Sequence, residues 1–180
     1  MSTRCSVLIR LKESDRNTDL VQDRALLTNA GIRNYAPVQD NVPVRTSKQY
    51  AGIYCHHDGY PSHMGKTLTG KFSTYEMAKA LVLGGDTSWI QEDSVGYYTN
   101  NGEAKNIRFT DDIRPVSLDS QYVYVFDPDD GKWRYCKVPI DWKHPEVAVF
   151  SPDEMVEIPE EYDMTRKIRL TANPDSNPGI

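Results

Sequence analysis

The feature that most constrains the fold is a pair of short aromatic segments separated by a five-residue turn sequence. Residues 122–126 read Tyr-Val-Tyr-Val-Phe and alternate aromatic residues with valine. Residues 132–135 read Lys-Trp-Arg-Tyr and alternate basic residues with aromatic ones. Between them lies Asp-Pro-Asp-Asp-Gly at 127–131, which has the residue types that favour tight turns. The pattern predicts an antiparallel β-hairpin. Its predicted aromatic face consists of Tyr122, Tyr124, Trp133 and Tyr135.

Two further strands and three helices are predicted upstream of the hairpin. Alternating apolar residues indicate a strand at 5–11, and a short apolar run indicates another at 51–55. Helical spacing of apolar residues indicates helices at 18–29, 61–71 and 73–83. This order predicts an α+β fold in which two or three helices pack on one face of an antiparallel sheet.

Capping signals set the expected ends of these helices. Thr18 is the predicted N-cap of the first helix, and Gly31 follows its last turn. Pro61 suits the first turn of the second helix. Ser73 and Glu76 predict a capping box for the third, which ends at Gly84-Gly85. The predicted core-facing residues of this third helix are Met77, Ala80 and Leu81.

The length of 180 residues suits one domain, and we assign residues 1–150 to a single α+β unit. Residues 12–50 are interpreted as an inserted helical arm or loop, since their later part is polar and holds Pro37 and Pro43. Residues 151–180 are predicted to be an acidic C-terminal extension with a frayed end. Its segment 153–163 carries six carboxylates and no basic residue.

Composition narrows the classes of function. A formal charge of -5 argues against unspecific nucleic-acid binding, which needs a basic face. No apolar run approaches the roughly 20 residues needed to cross a bilayer, and the first residues lack the apolar core of a signal peptide. The three cysteines, Cys5, Cys55 and Cys136, are odd in number and widely spaced, which indicates no disulfide framework. A cytoplasmic protein without membrane partners is the expectation.

Chemistry-bearing side chains are concentrated at 54–61, which reads Tyr-Cys-His-His-Asp-Gly-Tyr-Pro, followed at once by Ser-His-Met-Gly-Lys-Thr. The two segments hold three of the four histidines. They lie where a strand gives way to a helix, whose first amide groups can face an anion. We interpret this region as a ligand-binding pocket in which Asp58 caps the helix and Lys66 or Arg4 binds an anionic group of the ligand. The predicted ligand-binding residues are Arg4, Tyr54, His56, His57, Asp58, Tyr60 and Lys66.

A metal site is an alternative for the same region, with zinc as the candidate ion. Adjacent strand residues point to opposite faces, so Cys55, His56 and His57 cannot all converge on one ion. His57 and His63, with Asp58, could meet across the turn, but their spacing matches no specific zinc signature. We therefore predict no metal ligands and no cofactor.

The same region has features of two kinds of catalytic site. Gly65-Lys66-Thr67 matches the end of a phosphate-binding P-loop, but Tyr60 stands where that loop needs its first glycine. His56 or His57 beside Asp58 could act as a general base and its orienting partner. No complete catalytic set of residues accompanies them, which favours binding over catalysis.

Residues 1–4 and 53–61 resemble a family of small phage and mobile-element proteins that begin M-x-T-R-S and carry a Y-C-H-W-D-G-Y-P-like segment. The resemblance continues through 84–89 and the hairpin, and covers roughly residues 1–11 and 51–138. His57 stands where the family usually has tryptophan, and residues 12–50 look inserted. The resemblance implies a phage accessory role.

The resemblance and the residues together predict a phage-encoded accessory protein that acts by binding in the cytoplasm of the bacterial host. It would counteract host antiviral defence by sequestering a small anionic nucleotide-like ligand or by blocking a host defence protein. The alternative is a metal- or histidine-dependent hydrolase or transferase acting on nucleotides or nucleic acid. An inhibitor acting through the acidic segment is a third reading. Homo-oligomerisation is left open.

Overall fold

The computed structural model describes residues 2–34, 43–98, 106–115, 119–139, 143 and 150–165. Within these residues, three α-helices accompany a nine-stranded sheet. The helices are α1 (Arg24–Asn29), α2 (Pro61–Lys71) and α3 (Tyr75–Val82). The strands are β1 (Cys5–Arg10), β2 (Arg33–Asn34), β3 (Tyr50–Cys55), β4 (Thr87–Ile90), β5 (Ser94–Tyr97), β6 (Arg108–Thr110), β7 (Tyr122–Asp127), β8 (Lys132–Lys137) and β9 (Val156–Glu157).

The sheet is mixed, in the order β2-β5-β4-β3-β1-β7-β8-β9, with β6 also paired to β3. The predicted α+β class is confirmed, but the expectation of an antiparallel sheet is wrong. β1 pairs antiparallel with β3 and parallel with β7, and the β3–β4 and β2–β5 pairs are also parallel. The β3–β4 pair has a clear cause: α2 and α3 lie between these strands and supply the crossover that parallel neighbours need.

The predicted hairpin is confirmed as β7 and β8, whose register runs from Tyr122 opposite Lys137 to Asp127 opposite Lys132. The predicted aromatic residues share one face of the hairpin; Tyr124 is opposite Tyr135, whereas Trp133 is opposite Phe126 and Tyr122 is opposite Lys137. The rings of Tyr124 and Tyr135 stack with centroids 5.9 Å apart. This hairpin needs only local residues to specify it, because turn chemistry and side-chain alternation agree.

Two of the predicted helix starts are wrong, while the bounds of α2 are confirmed. α1 begins at Arg24 because the carboxylate of Asp23 accepts the Leu26 N–H at 2.9 Å. The predicted cap, Thr18, instead donates its hydroxyl to the Asp15 carbonyl at 3.0 Å. The predicted ending is confirmed: Gly31 follows α1 with a φ of 78°, which suits a helix C-terminus.

The third helix, α3, is capped one residue later than the sequence predicted. Thr74, and not Ser73, is the N-cap, and its hydroxyl oxygen accepts the Met77 N–H at 3.3 Å. The capping box of Ser73 with Glu76 is therefore not formed. The predicted core-facing residues of this helix are confirmed, since Met77, Ala80 and Leu81 are all buried.

Two apolar clusters lie on opposite faces of the sheet. The larger one joins β1 residues Cys5, Val7 and Ile9 to buried residues of all three helices, so the helices pack on one face as predicted. The smaller cluster holds Leu8 of β1 with Val123 of β7 and no described helix residue. The face away from the helices therefore carries an apolar cluster of its own, whose members are buried.

The segments predicted as an arm and an extension contribute to the main core. Leu20, Leu27 and Ile32 of segment 12–50 belong to the larger cluster, so its described part packs against the domain. Ile158 is buried in the same cluster, and β9 pairs with β8. The predicted frayed end lies outside the described residues. Among the helices that are described, none has the length and apolar content to cross a membrane.

Candidate functional site

The end of β3 sorts the predicted site residues onto two faces. The β1–β3 register places Tyr54 opposite Ser6 and Cys55 opposite Cys5. Cys5 and Cys55 lie in the helix-side core, so Tyr54 lies on the face away from the helices. Tyr54 and Cys55 therefore point to opposite faces of the sheet, as predicted for adjacent residues of a strand.

Tyr54 is the centre of a polar group on the face away from the helices. Its hydroxyl lies 2.9 Å from Nδ1 of His56, the next residue but one along the chain. Burial raises the pKa of the Tyr54 phenol, and the positive charge of Arg4 acts in the opposite direction. Tyr98 and Asp119 are close enough to raise that pKa further. We call Arg4, Tyr54, His56, Tyr98 and Asp119 the Tyr54 cluster.

The Tyr54 backbone is held by a carboxylate in place of a strand partner. β6 pairs with the first half of β3, and β4 reaches only Cys55. Between these two neighbours, the Tyr54 N–H donates to Oδ1 of Asp86 at 2.8 Å. Arg108 binds both oxygens of that carboxylate, at 2.7 and 3.2 Å. This bidentate pair fixes the position of Tyr54.

The loop after β3 is tied to the N-terminal segment. The hydroxyl of Ser2 hydrogen-bonds the His56 carbonyl and lies 2.8 Å from Nδ1 of His57. The Gly59 N–H donates to the Thr3 carbonyl at 2.8 Å. From the hairpin, the buried hydroxyl of Tyr124 donates to the Gly59 carbonyl, also at 2.8 Å. The His56 and His57 N–H groups also donate to the Thr87 and Ser88 carbonyls of β4. Loop 56–60 is therefore positioned by the segment before β1, by β4 and by β7.

Two more of the predicted residues are placed by α2: Tyr60 directly precedes it and Lys66 lies within it. Tyr60 is 40% exposed and its ring centroid is 6.0 Å from that of His63. His63 places Nε2 3.1 Å from the Ile90 carbonyl, so that nitrogen carries the proton and donates. Lys66 lies with Nζ 5.8 Å from the ring centroid of Tyr162. Of the predicted set, Arg4, Tyr54 and His56 share one cluster, whereas Tyr60 and Lys66 accompany α2.

The prediction that Asp58 caps α2 is wrong. Tyr60 is the N-cap residue and makes no side-chain cap hydrogen bond. Asp58 instead has a φ of 59°, in the left-handed region that few residues other than glycine, asparagine and aspartate tolerate. The residue type is thus explained by the turn it makes between β3 and α2.

This difference gives a test by substitution. Asp58→Ala is expected to lower the free energy of unfolding by about 1 kcal/mol, because alanine is strained at positive φ. Asp58→Gly is expected to stay within about 0.5 kcal/mol of the native protein, because glycine adopts this conformation without strain. Urea denaturation of both variants makes the comparison. A loss for Asp58→Gly as large as that for Asp58→Ala would assign the effect to the carboxylate.

Two of the candidate metal ligands, Cys55 and His63, have partners within the protein. Cys55 lies in the core and its thiol points to the His57 carbonyl at 3.4 Å. Across the described ranges, no three His, Cys, Asp or Glu side chains come together in a group that could hold a metal ion. A P-loop is not formed here, because Gly65, Lys66 and Thr67 lie inside α2 and not in a loop.

Sequence reasoning missed the two residues that brace Tyr54. Asp86 follows Gly84-Gly85, where a polar residue is typical of the end of a turn. Arg108 lies in a three-residue strand, which is too short to show an alternation of apolar and polar residues. Their pairing depends on β4 and β6 flanking the same strand, which no local signal specifies. The proximity of Tyr54 and His56, in contrast, could be predicted from the sequence, because residues two apart in a strand lie on the same face.

Comparison with known proteins adds no relative. No protein-family model matches the chain, and neither a curated protein nor a solved structure does.

Proposed function

We propose that this chain is a phage-encoded accessory protein that binds and sequesters a small anionic, nucleotide-like ligand at the Tyr54 cluster. The observation that carries the proposal is the Tyr54–His56 hydrogen bond of 2.9 Å beside the positive charge of Arg4. The phage origin, the bacterial host cytoplasm and the action against host defence follow from the sequence resemblance alone. They are part of the proposal.

The cluster offers a cation for the anionic part of such a ligand. Arg4 is exposed, and its backbone carbonyl is fixed by the Gln121 N–H at 2.9 Å. Within the described part of the chain, Arg4 has no salt-bridge partner, whereas Arg108 is occupied by Asp86. A guanidinium without a carboxylate partner can give two hydrogen bonds to a phosphate or carboxylate.

The cluster also offers aromatic and polar groups for a ring-containing ligand. Tyr98 is 47% exposed, so its ring is available for stacking on a flat base. His56 directs Nδ1 to Tyr54, and its other ring nitrogen has no described partner. Asp119 places a carboxylate near the Tyr54 hydroxyl, where it can accept a hydrogen bond from an N–H or O–H group of the ligand. Because this carboxylate repels an anion, the anionic part of the ligand is expected to lie beside Arg4. An anion, a ring and a donor are the parts of a nucleotide.

Isothermal titration calorimetry with AMP, adenosine and inorganic phosphate tests the proposal. AMP is expected to bind more tightly than either of its parts, because each part reaches only some of the groups. Arg4→Ala is expected to weaken AMP binding about tenfold or more, since a hydrogen bond to a charged group contributes about 1.5–3 kcal/mol. Tyr54→Phe and His56→Ala are expected to weaken it several-fold.

A matched cation serves as the control. Arg33 is also exposed but pairs with Asp93 on the edge strand β2, so Arg33→Ala is expected to leave AMP binding unchanged. Lys66→Ala decides whether the site reaches α2. Absence of AMP binding, or equal losses for Arg4→Ala and Arg33→Ala, would contradict sequestration at this cluster. Either result would favour the other mode of action predicted from the sequence, which is the blocking of a host defence protein.

A further inference from the structure

A pair of thiols lies on the helix side of the same two strands that carry the Tyr54 cluster. Cys5 of β1 and Cys55 of β3 are directly opposite each other in the antiparallel register. Both side chains are fully buried, and both are free thiols. The third cysteine, Cys136, lies in β8 within the smaller apolar cluster on the other face. Only one pair of cysteines is therefore placed to react together.

The backbone pairing sets the distance between these two residues. The N–H groups of Tyr54 and His56 point away from β1, to Asp86 and to the Thr87 carbonyl. Because N–H groups alternate between the two sides of a strand, the Cys55 N–H points toward β1. Cα atoms of such a hydrogen-bonded antiparallel pair are roughly 5.5 Å apart. Disulfides span Cα separations of roughly 4.4–6.8 Å, so β1 and β3 need not separate.

The two thiols also differ in acidity in the way that exchange chemistry requires. A hydrogen bond from Cys5 lowers the pKa of Cys55, whereas burial raises that of Cys5 well above its ordinary value. Cys55 is therefore the better nucleophile, because the thiolate is the attacking form. Burial raises the pKa of Cys136 to about 11, which leaves that thiol protonated and unreactive at neutral pH.

We propose that Cys5 and Cys55 form a reversible disulfide by exchange with a small disulfide of the glutathione class. The Cys55 thiolate attacks one sulfur of glutathione disulfide and releases one glutathione thiolate. Cys5 then gives its proton to a thiolate or water and attacks the Cys55 sulfur, which releases the second glutathione. Two cysteine thiols are oxidised to one disulfide, and one glutathione disulfide is reduced to two thiols.

Access to the thiols runs through loop 56–60. The Cys55 thiol donates to the His57 carbonyl at 3.4 Å, and Gly59 packs so closely on Cys5 that an added Cβ would lie 2.7 Å from the Cys5 Cβ. Exchange therefore requires this loop to open. Once formed, the bond should reduce readily, because Cβ atoms of a hydrogen-bonded pair stand farther apart than an unstrained disulfide prefers. This inference does not depend on the ligand of the Tyr54 cluster.

The test is oxidation of the reduced, full-length protein by glutathione disulfide, with and without a low, non-denaturing concentration of urea. Free thiols are then alkylated and the protein is analysed by intact mass and by peptide mapping. We expect a monomer that has lost two hydrogens, with the Cys5 peptide joined to the Cys55 peptide and Cys136 alkylated. Urea should speed the reaction, and dithiothreitol should reverse it.

Two serine variants separate the pair from the third thiol. Cys136→Ser is expected to oxidise like the native protein, whereas Cys5→Ser should stop at a glutathione adduct on Cys55. A native protein whose three thiols all remain alkylated at every glutathione disulfide concentration, urea included, would overturn the proposal. A disulfide that includes Cys136, or one that joins two chains, would do the same. The native peptide map decides the matter even if Cys5→Ser fails to fold.

Discussion

Gly84→Ala is expected to lower the free energy of unfolding by about 4 kcal/mol. A Cβ at this position would lie 2.0 Å from Cε1 of Tyr97 and 2.5 Å from its hydroxyl oxygen. Tyr97 is buried, and its hydroxyl donates to the Leu81 carbonyl at 2.9 Å and accepts from Gln22 at 3.2 Å. Overpacking costs about 1–3 kcal/mol, and displacing the ring leaves buried polar groups unpaired, at about 1–3 kcal/mol more.

Urea denaturation measures this loss, and Gly70→Ala is the matched control. In Gly70→Ala the new Cβ meets Met164 at 3.5 and 3.6 Å, which is ordinary contact. Gly70 lies inside α2, so alanine should raise stability by about 1 kcal/mol. In a Tyr97→Ala background, Gly84→Ala should cost much less, because the clashing ring is absent. An unchanged cost in that background would show that Tyr97 is not the cause.

The sequence predicted those parts of the fold that neighbouring residues determine. The β7–β8 hairpin is specified by its own turn and alternation, and α2 by Pro61 together with its apolar spacing. The start of α1 was missed because Thr18 and Asp23 are both acceptable caps. Tertiary contacts decide between them: the Tyr75 hydroxyl donates to Asp15 at 2.5 Å and Lys79 reaches the same carboxylate at 3.2 Å. These contacts hold the preceding turn outside the helix.

The parallel pairing of β1 with β7 could not be predicted in the same way. More than a hundred residues separate the two strands, and no local pattern specifies their register.

The geometry of the site depends on long-range pairing in the same way. Tyr54 and His56 are neighbours on one strand face, but Arg4 reaches them only because β1 pairs with β3. Asp86 and Arg108 meet only because β4 and β6 flank that strand.

Gly59→Ala is expected to reduce stability by about 3 kcal/mol and to abolish ligand binding at the Tyr54 cluster. A Cβ here would lie 2.7 Å from the Cys5 Cβ, 2.9 Å from the Thr3 carbonyl oxygen and 3.0 Å from the Arg4 carbonyl carbon. Two of these atoms are backbone and cannot rotate away. The segment that carries Arg4 must therefore move, and the Gly59–Thr3 hydrogen bond is lost with it.

Gly131→Ala is the control that separates this clash from the general cost of replacing a turn glycine. Gly131 lies in the hairpin turn with a φ of 69° and has nothing within 4 Å of an added Cβ. Its replacement should cost only the strain of positive φ, about 1 kcal/mol, and should leave AMP affinity unchanged. Urea denaturation and calorimetry with AMP give both readouts for each variant. If Gly59→Ala were no more harmful than Gly131→Ala in both, then contact with the N-terminal segment would not be what positions Arg4.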